Sequence, residues 1–158
     1  MRKEYPLQIN HMNNVPVRFY DKLKKTMLYP EHAIENGIFL SAHGEPVQMQ
    51  NGVFQRLGHI VVMHRTPHMD DSKQFIWEAD VCDMLVPNEY GSVQPARGVM
   101  IMDTTLQKWN LEIVYPKTPL TAGLHVPSEV GRVGNIYENP KLLTGTPVHN
   151  EGKNQNNN

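Results

Sequence analysis

Cysteine is nearly absent from this 158-residue chain: Cys82 stands alone. No intrachain disulfide can form, so a secreted scaffold built from disulfides is excluded and a reducing compartment fits best. Long hydrophobic runs are missing too, the longest aliphatic or methionine runs being residues 60–63 and 99–102, four residues each. A bilayer-spanning helix needs about 20. The opening Met-Arg-Lys-Glu-Tyr-Pro has none of the apolar segment of a secretory signal, so neither secretion nor membrane insertion is expected. An excess of one charge is also lacking, with 15 Lys+Arg against 16 Asp+Glu. That balance opposes a nonspecific nucleic-acid binder, whose affinity comes from neutralising phosphates. No Gly-x-Ser-x-Gly elbow, Walker-type phosphate loop or dinucleotide-binding glycine fingerprint occurs.

What is present is an uneven distribution of charge. Residues 1–25 carry six Lys or Arg against two acids, and residues 26–112 carry five against eleven. A basic arm therefore precedes an acidic body. The length suits one domain with decorated ends, able to bury roughly 68 to 70% of its unfolded surface.

Residues 1–17, with Pro6, Pro16 and the polar Asn10, His11, Asn13 and Asn14, read as an extended arm. Phe19, Leu23 and Met27 recur at i, i+4 and i+8, which predicts a helix over residues 19–29 stopped by Pro30. A second short turn over 31–36 ends at Gly37, which suits a left-handed cap. From Ile38 the period changes to 2 and a β-domain is expected over residues 38–115. Asn51-Gly52 between residues 46–50 and 53–57 is the strongest hairpin signal, because both residues reach positive φ at little cost. Residues 59–65 read as a central strand, 66–73 as a surface loop and 74–81 as a strand with Phe75 and Trp77 inward and Glu78 and Asp80 outward. A second hairpin is expected from 98–103 and 108–115. Beyond Pro116 the Pro- and Gly-punctuated sequence predicts an extended C-terminal arm ending in an Asn-rich tail of disordered type. The fold class is thus mainly β: a small antiparallel barrel or sandwich with a short N-terminal helix and two extended arms, divided as 1–37, 38–115 and 116–158.

The sharpest cluster of potential chemistry is His59, His64 and His68 with Asp70 and Asp71, since imidazole and carboxylate ligate zinc and iron. The five-residue step from His59 to His64 sends the two to opposite faces of a strand, so the cluster ranks as an alternative, a metal-dependent β-barrel enzyme. Cys82 reads as a buried small hydrophobe, with Asp80 and Asp83 unfavourable to a thiolate. Carboxylate pairs such as Glu78 and Asp80 read as a solvated strand face. No catalytic residue, cofactor or small-molecule substrate is expected. The basic residues Arg2, Lys3, Arg18, Lys22, Lys24 and Lys25 are the candidate partner-binding set.

Extended arms gain order by lying on another subunit, and opposite charge on arm and body gives such a contact direction. The expectation is a non-enzymatic structural subunit that assembles with copies of itself and other subunits. By architectural analogy its setting is a phage virion, as a head-to-tail joining, tail or capsid-associated protein, located in the virion or host cytoplasm. A single-strand nucleic-acid-binding β-barrel is a further alternative, disfavoured by the acidic body.

Overall fold

The computed structural model describes residues 17–88, 90–117 and 129–147. The expected N-terminal arm up to residue 16, with Arg2 and Lys3, and the Asn-rich tail lie outside the described residues. The chain is mainly β: among the described residues 55% lie in strands, with one small helix and a curled antiparallel half-barrel sheet. No described helix is long and apolar enough to cross a membrane. Two compact units emerge, residues 1–64 and 65–158.

In the first unit the helix expected over residues 19–29 is a β-hairpin. Strand β1 (Val17–Asp21) pairs antiparallel with β2 (Thr26–Leu28), Phe19 lying opposite Leu28. The physical reason sits in the turn. Asp21 Oδ1 accepts the backbone N–H groups of Leu23 and Lys24 at 2.9 and 3.0 Å, and Lys25 adopts φ 56°, a conformation that ends a helix before it starts. Leu23, placed on the core face by helical spacing, is 75% exposed. All five residues of β1 are buried, because the strand also pairs on its other side with residues 60–64 of β6 (Ile60–Met69).

The short helix α1 (Pro30–Glu35) follows with Pro30 in its first turn, where a missing N–H costs nothing. Gly37 takes φ 66° just after it. Helix α1 sets Ala33 against Val17, Phe19, Ile38 and Ile60, which form the core of this unit with Leu28, Leu40, Leu57 and Val62 around them. Strand β3 (Ile38–Leu40) begins a three-stranded antiparallel sheet in the order β3-β4-β5, with β4 (Pro46–Gln50) and β5 (Val53–Arg56). The β4–β5 hairpin is as the sequence predicts: Gln50 opposes Val53 across Asn51 and Gly52, at φ 50° and 75°, the two positive values of a type I′ turn.

The second unit begins inside β6, which runs to Met69 through much of the expected loop. Its residues Arg65 and Met69 pair with Trp77 and Phe75 of β7 (Phe75–Trp77). Asp70 closes this hairpin by accepting the N–H groups of Ser72 and Gln74, both at 2.9 Å.

The strand expected over residues 74–81 is interrupted. Ala79 takes φ 68° and a new strand, β8 (Asp80–Pro87), begins after it. The break inverts the expected faces: Ile76, not Phe75 or Trp77, is fully buried, and Asp80 is buried rather than solvated. Strands β9 (Val93–Asp103) and β10 (Lys108–Tyr115) form the second hairpin as expected, Asp103 opposite Lys108. The sequence reading has only an arm beyond residue 116. The structure instead adds β11 (Val130–Asn135), which pairs with β8, and a 3-10 turn over Pro140–Leu143.

The sheet order is β10-β9-β8-β11. On one side Cys82, Met84, Val86, Ala96, Met100, Leu111 and Val130 pack with Ile76. Gly98 permits close packing here, since a Cβ would lie 3.2 Å from the Glu112 carbonyl oxygen and the Leu111 Cβ.

Candidate functional site

The five residues of the metal alternative fold into unrelated tasks. His59 precedes β6, His64 is exposed on it, and His68 is half-buried four residues further along. Asp70 Oδ1 is occupied by two turn amides, and Asp71 Oδ1 accepts the N–H of Val130 at 3.1 Å. Among the described residues no group of three or more His, Cys, Asp or Glu side chains is placed to hold a metal ion. Asp70 shapes a turn, and Asp71 ties the loop to Val130.

That use of acids and amides recurs. Asn88, Asp103 and Asn135 each accept two backbone N–H groups from residues two to four positions ahead, as Asp21 and Asp70 do. An Asx side chain at the start of a short loop satisfies amides that the chain reversal leaves without a strand partner. The signal is local and legible in the sequence, an Asp or Asn two to four residues ahead of the amides it holds.

A second polar constellation depends on strand pairing and carries no local sequence motif. Asp83 and Arg97 are directly opposite in the β8–β9 register, and the guanidinium grips the carboxylate with both arms, Nε to Oδ1 at 2.6 Å and Nη2 to Oδ2 at 2.8 Å. Nη1 donates to the Leu142 carbonyl at 3.0 Å, tying the 3-10 turn to the sheet. The Asp83 hydrogen bond outweighs burial and raises the Arg97 pKa. Asp80 Oδ2 accepts the Trp77 N–H at 2.9 Å, with Arg132 Nε 4.0 Å away. Asp80 and Asp83 are thus held by backbone or arginine partners, in place of the solvated strand face expected for Asp80.

Cys82 is fully buried. Burial, and then the charge of Asp80, pushes its thiol pKa far above the ordinary 9.0. The folded protein therefore holds this proton where the unfolded chain releases it. Stability from this group is complete below the unfolded thiol's pKa and declines as pH rises past it, by up to ~1.4 kcal/mol per pH unit. Urea unfolding between about pH 8 and pH 10 should show this decline in the parent protein but not in Cys82→Ala. Equal alkaline slopes in both would refute the assignment.

The candidate partner-binding residues divide. Arg18 is 1% exposed, with Nη2 3.9 Å from the Met63 sulfur. It is an interior residue of a strand whose five residues are all buried, and does not belong to the exposed basic surface. Lys22, Lys24 and Lys25 are exposed together with Leu23 in the turn between β1 and β2. Asp21 fixes the backbone of that turn, so three cations and one apolar side chain are presented in a set conformation.

Two other surfaces stand out. A recess beside α1 is lined by Val17, Phe19, Pro30, Ala33, Ile34, Ile38 and Leu40, and presents no polar side chain to orient a ligand. On the β3-β4-β5 sheet, the register puts Phe39 opposite Val47 and Met49 opposite Phe54. Side chains alternate between faces with period 2, so these four share one face. None is buried.

No family model matches the sequence, and no curated protein matches it. Among solved structures, the crystal structure of protein EF1440 from Enterococcus faecalis is similar to this chain, with a TM-score of 0.50 and 17% identity, over 81% of this chain and 96% of the other. At that identity the likeness shows a shared fold.

Proposed function

We propose that the protein is a non-enzymatic structural subunit whose partners include further copies of itself, and that the lysine turn between β1 and β2 is its charged contact. The carrying observation is the rigid display of Lys22, Leu23, Lys24 and Lys25, with Leu23 75% exposed. An apolar side chain among cations fits a protein surface that is acidic with an apolar centre. This chain has such a charge excess of its own, since residues 26–112 hold eleven acids against five bases. Contact between copies then pairs opposite charges and acquires a direction. The narrower setting, a phage virion component, rests on architectural analogy.

The turn's side chains are exposed, so reversing their charge leaves the fold intact. The variant carrying Lys22→Glu, Lys24→Glu and Lys25→Glu is expected to lose at least tenfold in any self-association seen at low ionic strength. In the parent protein that component should fade as salt shortens the screening length to ~8 Å. Sedimentation velocity at low and high salt measures both effects. Unchanged association in the variant would dismiss the turn as the contact. Tight binding of a single-stranded oligonucleotide, lost in the same variant, would move the lysines to the nucleic-acid reading.

A further inference from the structure

We propose that β5 is a self-pairing edge, at which two copies join their β3-β4-β5 sheets into one six-stranded sheet across a two-fold axis. The proposal rests on the reading that this chain assembles with copies of itself, at a contact separate from the lysine turn.

The backbone sets the geometry. Strand β5 ends the order β3-β4-β5 and all four of its residues are exposed. In a hairpin closed by a two-residue turn, the residues flanking the turn exchange both backbone hydrogen bonds, and the pattern alternates outward from there. Gln50 and Val53 flank the turn, and Gln48 lies opposite Gln55. Val53 and Gln55 therefore spend their N–H and C=O groups on β4, while those of Phe54 and Arg56 point away from it, to an edge paired with no strand among the described residues.

Natural proteins blunt such an edge with lysine, proline or a bulge. The sequence Val-Phe-Gln-Arg contains none of these residues, and the β4–β5 register is regular. Its one charge, Arg56, is paired with Glu45.

The occupant follows from self-complementarity. Two antiparallel copies of β5 related by a two-fold on Gln55 place Phe54 opposite Arg56 of the other copy, twice. In that register all four outward backbone groups of each strand find partners. Shifting the axis to Phe54 leaves Arg56 facing Gly52 in the turn. The chosen register also keeps faces matched, since residues 54 and 56 have the same parity. The apolar face of Phe39, Val47, Met49 and Phe54 then continues into its equivalent, and each Arg56 guanidinium reaches a Phe54 ring.

Charge permits the contact as well. Residues 45–56 carry only Glu45 and Arg56, so copies meet there with no net repulsion, whereas lysine turns repel one another. Paired four-residue strands bury less than the roughly 1,200 Å² of a standard stable interface, so the dimer forms only at high concentration.

The test is sedimentation velocity of the full chain over a wide concentration range at high salt, where the lysine contact is screened, with circular dichroism as a check on folding. The parent protein should move from monomer to dimer. Phe54→Lys, facing Arg56 of the other copy, should weaken dimerisation at least tenfold, while Phe54→Glu in the same place should retain it and make it sensitive to salt. Both variants lose the same apolar ring, so a difference between them reports the register. A parent protein that stays monomeric throughout, with the Phe54 and Arg56 amides exchanging freely with solvent, overturns the proposal and leaves the edge to a strand of another protein. Equal dimerisation of Phe54→Lys and the parent also overturns it.

Discussion

Arg97→Ala should lower the unfolding free energy of the C-terminal unit by roughly 3 to 5 kcal/mol, the cost of leaving a buried charge without its partner. Arg97 is 3% exposed and serves two elements, Asp83 on β8 and the Leu142 carbonyl on the 3-10 turn. Its removal takes the two-armed grip from the Asp83 carboxylate and unties the 3-10 turn from the sheet.

Asp83→Ala should cost a similar amount by stranding the guanidinium. Arg97→Lys should recover only part of the loss, because an ammonium cannot reproduce the planar two-armed grip. The paired change Asp83→Leu with Arg97→Met should be far milder than either single alanine variant, since isosteric apolar side chains remove both desolvation penalties at once. Urea denaturation of the four variants measures this. A loss of under about 1 kcal/mol for Arg97→Ala would reclassify the ion pair as a surface contact.

The pair shows what a sequence hides. Asp83 and Arg97 are 14 positions apart, and only the β8–β9 register makes them neighbours. Where structure depends on adjacent residues the sequence was legible. Asn51-Gly52 gave the β4–β5 turn, the alternation of Trp109, Leu111 and Ile113 gave β10, and Cys82 was read as buried.

Local rules failed where a competing local rule was stronger. Helical spacing of Phe19, Leu23 and Met27 lost to the Asx turn of Asp21, which diverts two amides from any helix. Strand β11 was not legible, because Val130-Gly-Arg-Val-Gly-Asn has too few β-forming residues to announce itself. It exists through pairing with β8. The partner-binding set split for the same reason, as burial of Arg18 depends on β6 arriving beside β1 from some forty residues away. The edge of β5 carries no motif at all, since it is defined by what fails to pair with it.

The inverted faces at residues 75–77 give the second large effect. Unbroken alternation over residues 74–81 directs Phe75 and Trp77 inward, whereas the turn at Ala79, with Asp80 accepting the Trp77 N–H, directs Ile76 inward. Ile76 is 0% exposed and packs with Cys82, Met84, Met100 and Leu111. Its carbonyl also accepts the Thr66 hydroxyl at 2.7 Å. Phe75 is half-buried, its ring covered by the Arg65 guanidinium at 4.1 Å.

Ile76→Ala should therefore cost about 2 to 5 kcal/mol, the transfer of the lost methyl groups plus the cavity they leave. Phe75→Ala should cost about 1 kcal/mol, the order of one partly exposed cation–π contact. By size alone the ranking would be reversed, because phenylalanine truncation in a core is normally the more damaging change. Urea midpoints of the two variants settle the direction: if Phe75→Ala proves the more destabilising, the continuous strand read from the sequence is right and the turn at Ala79 is wrong.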